Sequence, residues 1–252
     1  MDLGLKGKRI LVTGGTRGIG AAIVDGFLAE GAVVAFCARK QQEVDARVAV
    51  LLAQGHTVVG AVCDVSDAGA YLSWMQSAID ALGGLDVFVP NVSGGASAGE
   101  EGWKAAFDVD LMATVRGCEA VLPQLAASGG NIVVIASVAG LEAIGGGPSP
   151  YNTAKAGLIA YASQLGDIAG AHGVRVNTVS PGPIHVEDGF WGEVQRNQPD
   201  MYGAVSARHG AGRLGTPEEV AKSVVFLASS SASWVTRANL IVDGGFCKRV
   251  QY

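Results

Sequence analysis

The chain has 252 residues, of which 49% are apolar and 16% are charged, and this length suits one α/β domain spanning residues 1–252, since no linker or repeat divides it. Its net charge of −5 argues against nucleic acid or an anionic membrane surface as a partner and favours a small-molecule ligand. No apolar stretch approaches the roughly 20 residues that span a bilayer, and the first residues lack a secretory signal, so we expect a cytoplasmic protein.

The cysteines are scattered along the chain without the CxxC or Cys/His spacing of zinc sites. They are Cys37, Cys63, Cys118 and Cys247. This pattern fits reduced, mostly buried thiols, and no metal site is predicted.

A short apolar strand over residues 9–13 runs directly into a glycine-rich turn and then into an apolar-periodic helix that ends near Gly31. The turn holds Gly14, Gly18 and Gly20, whose spacing is GxxxGxG rather than the usual GxGxxG. Glycines allow a tight turn and let the backbone approach a pyrophosphate, which the helix N-terminus stabilises. An ordinary flexible turn is the alternative, but the flanking strand and helix favour a dinucleotide site. The predicted cofactor contacts here are Gly14, Thr16, Arg17, Gly18, Ile19 and Gly20.

Apolar runs alternate with helical segments along the rest of the chain. Further strands are predicted at residues 32–37, 57–62, 85–89, 131–136, 174–179 and 240–242. Seven strands separated by helices require right-handed crossovers, so we predict a Rossmann-type, doubly wound α/β fold with a mostly parallel seven-stranded sheet and helices on both faces. Ligands of such sheets bind beyond the carboxyl ends of the strands.

Two basic residues, Arg39 and Lys40, follow the second predicted strand. An acidic residue near this position would hold the ribose hydroxyls of NAD, whereas a basic residue accommodates the 2′-phosphate of NADP. Arg39 and Arg17 can make charge-assisted contacts to that phosphate, so NADP(H) is the predicted cofactor. The alternative is that Arg39 and Lys40 are simply the solvated start of a helix.

Three polar side chains surround the loop that follows the fifth strand. Ser137 comes at the end of that strand, and Tyr151 and Lys155 lie in the first turns of the next predicted helix. Residues four apart share a helix face, and a nearby ammonium favours the ionised form of a phenol, which can then exchange a proton nearer neutral pH. A Tyr-x-x-x-Lys pair alone can arise by chance, so the prediction depends on the order of the other motifs.

These residues belong to a longer series of motifs. The series comprises 13–20 (TGGTRGIG), Asp64, 90–94 (PNVSG), Ser137, Tyr151 with Lys155, 177–184 (NTVSPGPI), 212–219 (GRLGTPEE) and 242–245 (VDGG). Over nearly its whole length the chain resembles the short-chain dehydrogenase/reductase family, in particular the single-domain branch that includes 3-oxoacyl-[acyl-carrier-protein] reductases and related ketone reductases.

The resemblance implies a role for each residue of the trio. Tyr151 would be the general acid/base, Lys155 would bind the nicotinamide ribose and favour the ionised tyrosine, and Ser137 would orient the substrate oxygen. The backbone of Ile184 would meet the nicotinamide carboxamide. The implied cofactor contacts beyond the glycine turn are Arg39, Lys40, Asp64, Val65, Asn91, Tyr151, Lys155, Pro181, Gly182 and Ile184. From its residues alone, Asp64 is either an acceptor for the adenine amino group or a cap of the next helix.

Three positions depart from the family pattern. Pro90 replaces the first of two asparagines, so that only Asn91 is kept, and Val186 replaces a threonine. Asp110 replaces the family's catalytic asparagine, and an ionised aspartate accepts hydrogen bonds but cannot donate them. We expect Asp110 to support a water chain to Lys155 and to compete with the tyrosine for the field of the ammonium.

In the family, a mobile lid over the substrate lies at residues 186–210 of this chain. Its aromatic side chains predict a largely apolar substrate, or else they pack a short amphipathic helix against the domain. His185 is either a substrate contact or an exposed loop residue. The predicted substrate contacts are Ser93, Ser137, Tyr151, His185, Phe190 and Trp191.

The sequence therefore predicts an NADP(H)-dependent oxidoreductase that interconverts a ketone and a secondary alcohol. The alternative from another class is a non-catalytic protein that senses redox state through a bound dinucleotide. By resemblance, the protein is expected to form a homotetramer.

Overall fold

The fold is built on one sheet of seven strands, seen in a computed structural model that describes residues 2–95, 97–145 and 147–248. The strands are β1 (Arg9–Thr13), β2 (Val33–Ala38), β3 (Val58–Val62), β4 (Val87–Val89), β5 (Asn131–Ile135), β6 (Arg175–Pro181) and β7 (Asn239–Val242). Their order is β3-β2-β1-β4-β5-β6-β7, and every paired strand runs parallel to its neighbour. The predicted doubly wound fold is confirmed, and its sheet is parallel throughout the described strands.

Helices cover both faces of the sheet. They are α1 (Gly18–Ala29), α2 (Gln41–Ala53), α3 (Ala68–Leu82), α4 (Gly99–Ala105), α5 (Ala113–Ser128), α6 (Pro150–Gly170), α7 (Phe190–Asn197), α8 (Pro199–Ser206) and α9 (Pro217–Ala228). A π-helical segment, Ala106–Met112, joins α4 to α5, and a short 3₁₀ turn, Val138–Gly140, follows β5. Within the described ranges, no helix is both long enough and apolar enough to cross a membrane.

Two apolar cores result from the alternation of side chains along the buried strands. Val12 and Phe36 are fully buried in the core that α1 and α9 cover, whereas Leu11 and Ala35 lie in the core under α3, α5 and α6. Both faces of β1 and β2 are therefore largely apolar along their length.

The start of α6 is fixed by local interactions. The Ser149 hydroxyl accepts a hydrogen bond from the backbone N–H of Asn152 at 3.4 Å, and Pro150 occupies the first turn, where its missing N–H costs nothing. This start places Tyr151 and Lys155 in the first two turns of the helix, near the carboxyl ends of β5 and β6.

A network at the opposite edge of the sheet joins β1 to the segment before β4. Arg9 donates to Asp86 from its backbone N–H at 2.9 Å and from Nε at 2.7 Å. Burial raises the pKa of the Asp86 carboxyl, but the hydrogen bonds from Arg9 and the charge of Lys8 outweigh burial and hold that pKa below its usual value. Such a carboxyl stabilises the fold above its unfolded pKa, and this contribution is lost as the pH falls through the folded value.

We expect Asp86→Asn to lower the free energy of unfolding at pH 7 by about 1 to 3 kcal/mol, because the partly buried donors of Arg9 lose a charged acceptor. The difference from the unchanged protein should shrink below about pH 4. Urea denaturation at pH 7 and at about pH 3.5 measures both effects. Asp80→Asn, on the exposed surface of α3, is the control. An equal loss of unfolding free energy at the two pH values would contradict a stabilising contribution from the ionised Asp86 carboxylate.

Candidate active site

The glycine turn after β1 is held by the side chain of Asn91, which follows β4. The Asn91 amide donates to the carbonyl oxygens of Thr13 at 3.0 Å and Gly14 at 3.2 Å, and its backbone N–H donates to the Thr13 hydroxyl at 2.9 Å. Gly14 and Gly18 have φ values of +74° and +56°, in the left-handed region that favours glycine. The turn therefore has a defined shape and is not an ordinary flexible loop.

Two cavities open on either side of Asn91 along the carboxyl edge of the sheet. The first, of about 270 Å³, lies over β1 to β3, and the second, of about 550 Å³, lies over β4 to β6. Arg17, Asn91 and Ser93 line both cavities, so the two form one long cleft. A cleft of this shape, with a glycine turn and a helix N-terminus at its middle, fits a dinucleotide.

The cleft brings together all the predicted cofactor residues. Those of the first cavity are Gly14, Thr16, Arg17, Arg39, Lys40, Asp64, Val65 and Asn91. Those of the second cavity are Arg17, Gly18, Ile19, Gly20, Asn91, Tyr151, Lys155, Pro181, Gly182 and Ile184.

Charged groups at the first cavity form a small network. Lys40 contacts the carboxylate of Glu43 at 2.7 Å, and the Thr16 hydroxyl donates to the same carboxylate at 3.4 Å. The hydrogen bond from Lys40 lowers the pKa of Glu43, and the charge of Arg17 acts in the same direction. Arg39 makes no hydrogen bond or ion pair with any residue that the structure describes. Lys40 therefore has a carboxylate partner at the surface, whereas the Arg39 guanidinium keeps its charge available to the cavity.

Asp64 faces the same cavity and does not cap the next helix. Its carboxylate accepts hydrogen bonds from the backbone N–H of Ser66 at 2.9 Å and from the Ser66 hydroxyl at 2.7 Å, and these bonds, with the charge of Arg39, lower its pKa. The N-cap of α3 is Asp67, which accepts from the backbone N–H of Ala70. The capping alternative for Asp64 was thus wrong.

The predicted trio meets in the second cavity. Ser137 is 8% exposed and Lys155 is 2% exposed, and both line the cavity with Tyr151. The ammonium of Lys155 donates to the carbonyl oxygen of Ile135 at 3.2 Å and lies 5.6 Å from the centre of the Tyr151 ring. The 3₁₀ turn after Ser137 packs directly on α6, since a Cβ atom at Gly140 would lie 2.6 Å from the backbone nitrogen of Ala156. This close packing brings the end of β5 to the face of α6 that carries the tyrosine and lysine.

Asp110 lies in the π-helical segment behind Lys155 and lines neither cavity. Its Oδ1 atom is 3.0 Å from the Lys155 ammonium, so the two charges are in direct contact. The side chain thus contacts Lys155 directly, and the expected water chain stays a prediction.

The segment predicted to form a lid, residues 186–210, holds α7 and α8. Phe190 and Trp191 line the second cavity with their ring centres 5.2 Å apart and nearly perpendicular. His185 is directed elsewhere, because its Nδ1 atom is 3.2 Å from the Tyr202 hydroxyl and its Nε2 atom is 3.5 Å from Glu187. Of the predicted substrate residues, the structure brings together Ser93, Ser137, Tyr151, Phe190 and Trp191 but leaves His185 outside the cavity.

Sequence reasoning missed several residues of the cleft. Glu43, Cys37 and Cys63 line the first cavity, and Asp188 lines the second, where it lies 3.9 Å from Arg17. A hydrogen bond from the Cys37 thiol lowers the pKa of Cys63. The position of Cys63 directly before Asp64 was a usable signal, because the strand end that carries Asp64 must also carry its neighbour to the cleft. Glu43 gave no signal beyond its place three residues after Lys40.

We expect Gly20→Ala to destabilise the protein by about 3 kcal/mol or more and to abolish dinucleotide binding. A Cβ atom at Gly20 would overlap the carbonyl oxygen of Gly14 and crowd the amide of Asn91. Thermal unfolding and the quenching of tryptophan fluorescence by the dinucleotide measure the two effects. Gly170→Ala, at the end of α6, meets no described atom within 4 Å and should be neutral or slightly stabilising. Equal behaviour of the two variants would contradict the packing described for the turn.

Known proteins are similar to this chain over nearly its whole length. A family model described as enoyl-(acyl carrier protein) reductase matches residues 14–247. Isoepoxydon dehydrogenase patN of Penicillium expansum is 37% identical over 258 residues, covering 100% of this chain and 99% of that protein. The 3-oxoacyl-[acyl-carrier-protein] reductase FabG of Chlamydia pneumoniae is 33% identical, covering 97% and 99%.

A solved structure of a similar protein has a closely similar fold. L-sorbose reductase from Gluconobacter frateurii, complexed with NADPH and L-sorbose, matches with a TM-score of 0.91 and 29% identity, covering 99% of this chain and 100% of that one. The names of all three relatives are those of dehydrogenases or reductases.

Proposed function

Because the chain belongs to the short-chain dehydrogenase/reductase family, we propose that this oxidoreductase interconverts a ketone and a secondary alcohol with NADP(H). The observation that carries the proposal is the convergence of Ser137, Tyr151 and Lys155 on a cavity that continues past the glycine turn. A protein that only senses a dinucleotide needs the cleft but has no use for a proton donor beside it.

The chemistry divides between the dinucleotide and the protein. A dinucleotide held in the cleft by the glycine turn would supply a hydride to the carbonyl carbon, or would accept one from the alcohol carbon. Tyr151 gives its hydroxyl proton to the substrate oxygen during reduction and takes a proton from the alcohol during oxidation. The Lys155 ammonium, 5.6 Å from the ring centre, stabilises the tyrosine after the proton has left.

Ser137 is suited to hold the substrate oxygen. Its own oxygen already accepts the backbone N–H of Ala139 at 3.1 Å, so its hydrogen is free to be donated. A hydrogen bond from this hydroxyl would stabilise the negative charge that develops on the substrate oxygen during reduction. Ser93, Phe190 and Trp191 line the same cavity and would contact the remainder of a largely apolar substrate.

The choice of NADP(H) is supported by charge at the first cavity. The guanidinium of Arg39 is free of hydrogen bonds to described residues, while Arg17 lines both cavities. An arginine can bind a 2′-phosphate through two parallel charge-assisted hydrogen bonds. The NADPH that L-sorbose reductase binds supports the same choice.

Arg39→Ser should raise the dissociation constant for NADPH by about tenfold to a hundredfold and change that for NADH by less than about threefold, because only NADPH carries the 2′-phosphate. Titration of nicotinamide fluorescence measures both constants. Arg47→Ser is the matched control, since Arg47 lies on α2 but is bound to Asp25 and to the carbonyl oxygen of Ala21, outside both cavities. A loss of affinity that is equal for the two dinucleotides would overturn the role of Arg39.

Tyr151→Phe should lower kcat/KM for ketone reduction by a factor of about 100 to 10,000 and leave the dissociation constant for NADPH within about threefold. The rate is followed by the absorbance of NADPH with a panel of cyclic ketones, acyclic ketones and ketoses. Tyr161→Phe, on the same helix with its hydroxyl near the carbonyl oxygen of Val115, should keep full activity. Retained activity in Tyr151→Phe would refute the assignment, and an unchanged protein that binds NADPH but reduces no ketone would favour the redox sensor.

The homotetramer and the cytoplasmic location stay predictions. Exposed apolar side chains beside α6 and α9 support self-association, because a second copy would remove them from water. Among them, Ile168 is 65% exposed and Trp234 is 98% exposed.

A further inference from the structure

The contact between Asp110 and Lys155 joins two opposite charges that are almost completely removed from solvent. The side chain of Asp110 is 0% exposed and that of Lys155 is 3% exposed. The contact is an ion pair at 3.0 Å, while the ammonium directs its hydrogen bond to the carbonyl oxygen of Ile135. Oδ1 of Asp110 has no hydrogen-bond donor among the residues that the structure describes, so its interaction with Lys155 is one of charge.

The second carboxylate oxygen binds the wall of the cleft. Oδ2 of Asp110 accepts the backbone N–H of Gly94 at 2.8 Å, and Gly94 directly follows Ser93, which lines both cavities. One carboxylate therefore links the segment after β4 to the lysine on α6.

The backbone around Asp110 is built for this contact. The segment Ala106–Met112 is π-helical, and such a single turn within an α-helical stretch changes which side chains face inward. The Thr114 hydroxyl donates to the carbonyl oxygen of Asp110 at 2.9 Å, which satisfies a carbonyl in the altered turn. Contacts of the side chain with Gly94 and Lys155, and of the backbone with Thr114, therefore fix the position of the Asp110 carboxylate.

We infer that Asp110 is a positioning residue that fixes the Lys155 ammonium and offsets its charge, so that proton transfer by Tyr151 occurs at a higher pH than an asparagine in the same place would give. The inference rests on the proposed function and deepens it. A buried cation stabilises a neighbouring phenolate, and a buried carboxylate in contact with that cation opposes the effect.

Few other charges act on the tyrosine. Arg17 and Asp188 line the same cavity, but they are mostly exposed and lie 3.9 Å from each other. Glu142, on the loop after β5, accepts the backbone N–H of Lys248 and does not line the cavity. From β5 and from the segment after β4, the groups that meet the ion pair are uncharged backbone groups of Ile135 and Gly94. Among the described residues, Asp110 therefore supplies the buried negative charge that acts on Tyr151.

Asparagine cannot reproduce both contacts of Asp110. If its amide oxygen accepts from Gly94, its NH₂ group faces the ammonium, and two donors meet. If the amide is turned over, the oxygen faces the ammonium and the NH₂ group meets the N–H of Gly94. Asp110→Asn thus loses one of the two contacts in either orientation. It also removes the negative charge, while the volume of the side chain hardly changes.

The test is the pH dependence of kcat for alcohol oxidation, which requires the tyrosine in its ionised form. In Asp110→Asn the pH of half-maximal rate should fall by about one unit, and the alkaline limb of ketone reduction should move in the same direction. Asp108→Asn is the matched control, because Asp108 lies in the same π-helical segment but pairs with Lys104 at the surface. The pH dependence of kcat in Asp108→Asn should not shift.

A shift of less than about 0.3 units in Asp110→Asn, or a shift to higher pH, would overturn the inference. A merely structural role would lower the rate at every pH without moving the midpoint. Tyr151→Phe separates the two proposals, because activity in that variant refutes the proposed function, whereas an inactive Tyr151→Phe with an unshifted Asp110→Asn refutes only the inference.

A stability measurement covers the case in which Asp110→Asn folds poorly. Lys155→Met leaves the buried carboxylate without its cation and should lower the melting temperature strongly, because an unpaired buried charge is costly. In the double variant Asp110→Asn with Lys155→Met, most of that loss should be recovered. Additive losses in the double variant would show that the two charges do not depend on each other and would overturn the inference.

Discussion

The amide of Asn91 joins the two halves of the sheet at the point where the order of strands reverses. From β1 the chain proceeds outward through β2 and β3, and then returns to place β4 on the other side of β1. Crossover helices leave a crevice at such a reversal, and its shape depends on the distance between the turn after β1 and the segment after β4. Three hydrogen bonds of 2.9 to 3.2 Å set that distance, and both cavities of the cleft share the residue that makes them.

The electrostatics of the cleft differ between its ends. At the first cavity the charges of Lys40, Glu43 and Arg39 are on the surface, where water and salt weaken each pair. Lys155 at the second cavity and Asp110 behind it are buried, and little water screens their charges. Under the proposed function, binding of an anionic ligand would therefore belong to the exposed end, while control of a proton would belong to the buried end.

Much of this arrangement was predictable because it follows from local patterns. Apolar runs located the strands, and the polar residues just beyond them, such as Ser137 and Asp64, had to lie along the carboxyl edge of a parallel sheet. Tyr151 and Lys155 share a face by helical spacing alone. The direct contact of Lys155 with Asp110 was not predictable in this form, because the two residues lie 45 positions apart. The contact also depends on a π-helical turn, for which the sequence has no clear signal. The direction of the His185 side chain was also not predictable, because this loop residue contacts Tyr202 on α8.

The separation of the cleft into two cavities has a consequence for how the protein can diverge. Apart from residues 91–94 and Val109, the first cavity is lined by residues from 14 to 65, whereas the second draws its reacting groups from residues 135 to 191. Changes in the amino-terminal third of the chain can therefore alter which dinucleotide is held while leaving the reacting groups untouched. Under the proposed function, exchange of residues 186–210 between related chains would, in the same way, bring new compounds to an unaltered reaction centre, so that one scaffold would supply many specificities by independent routes.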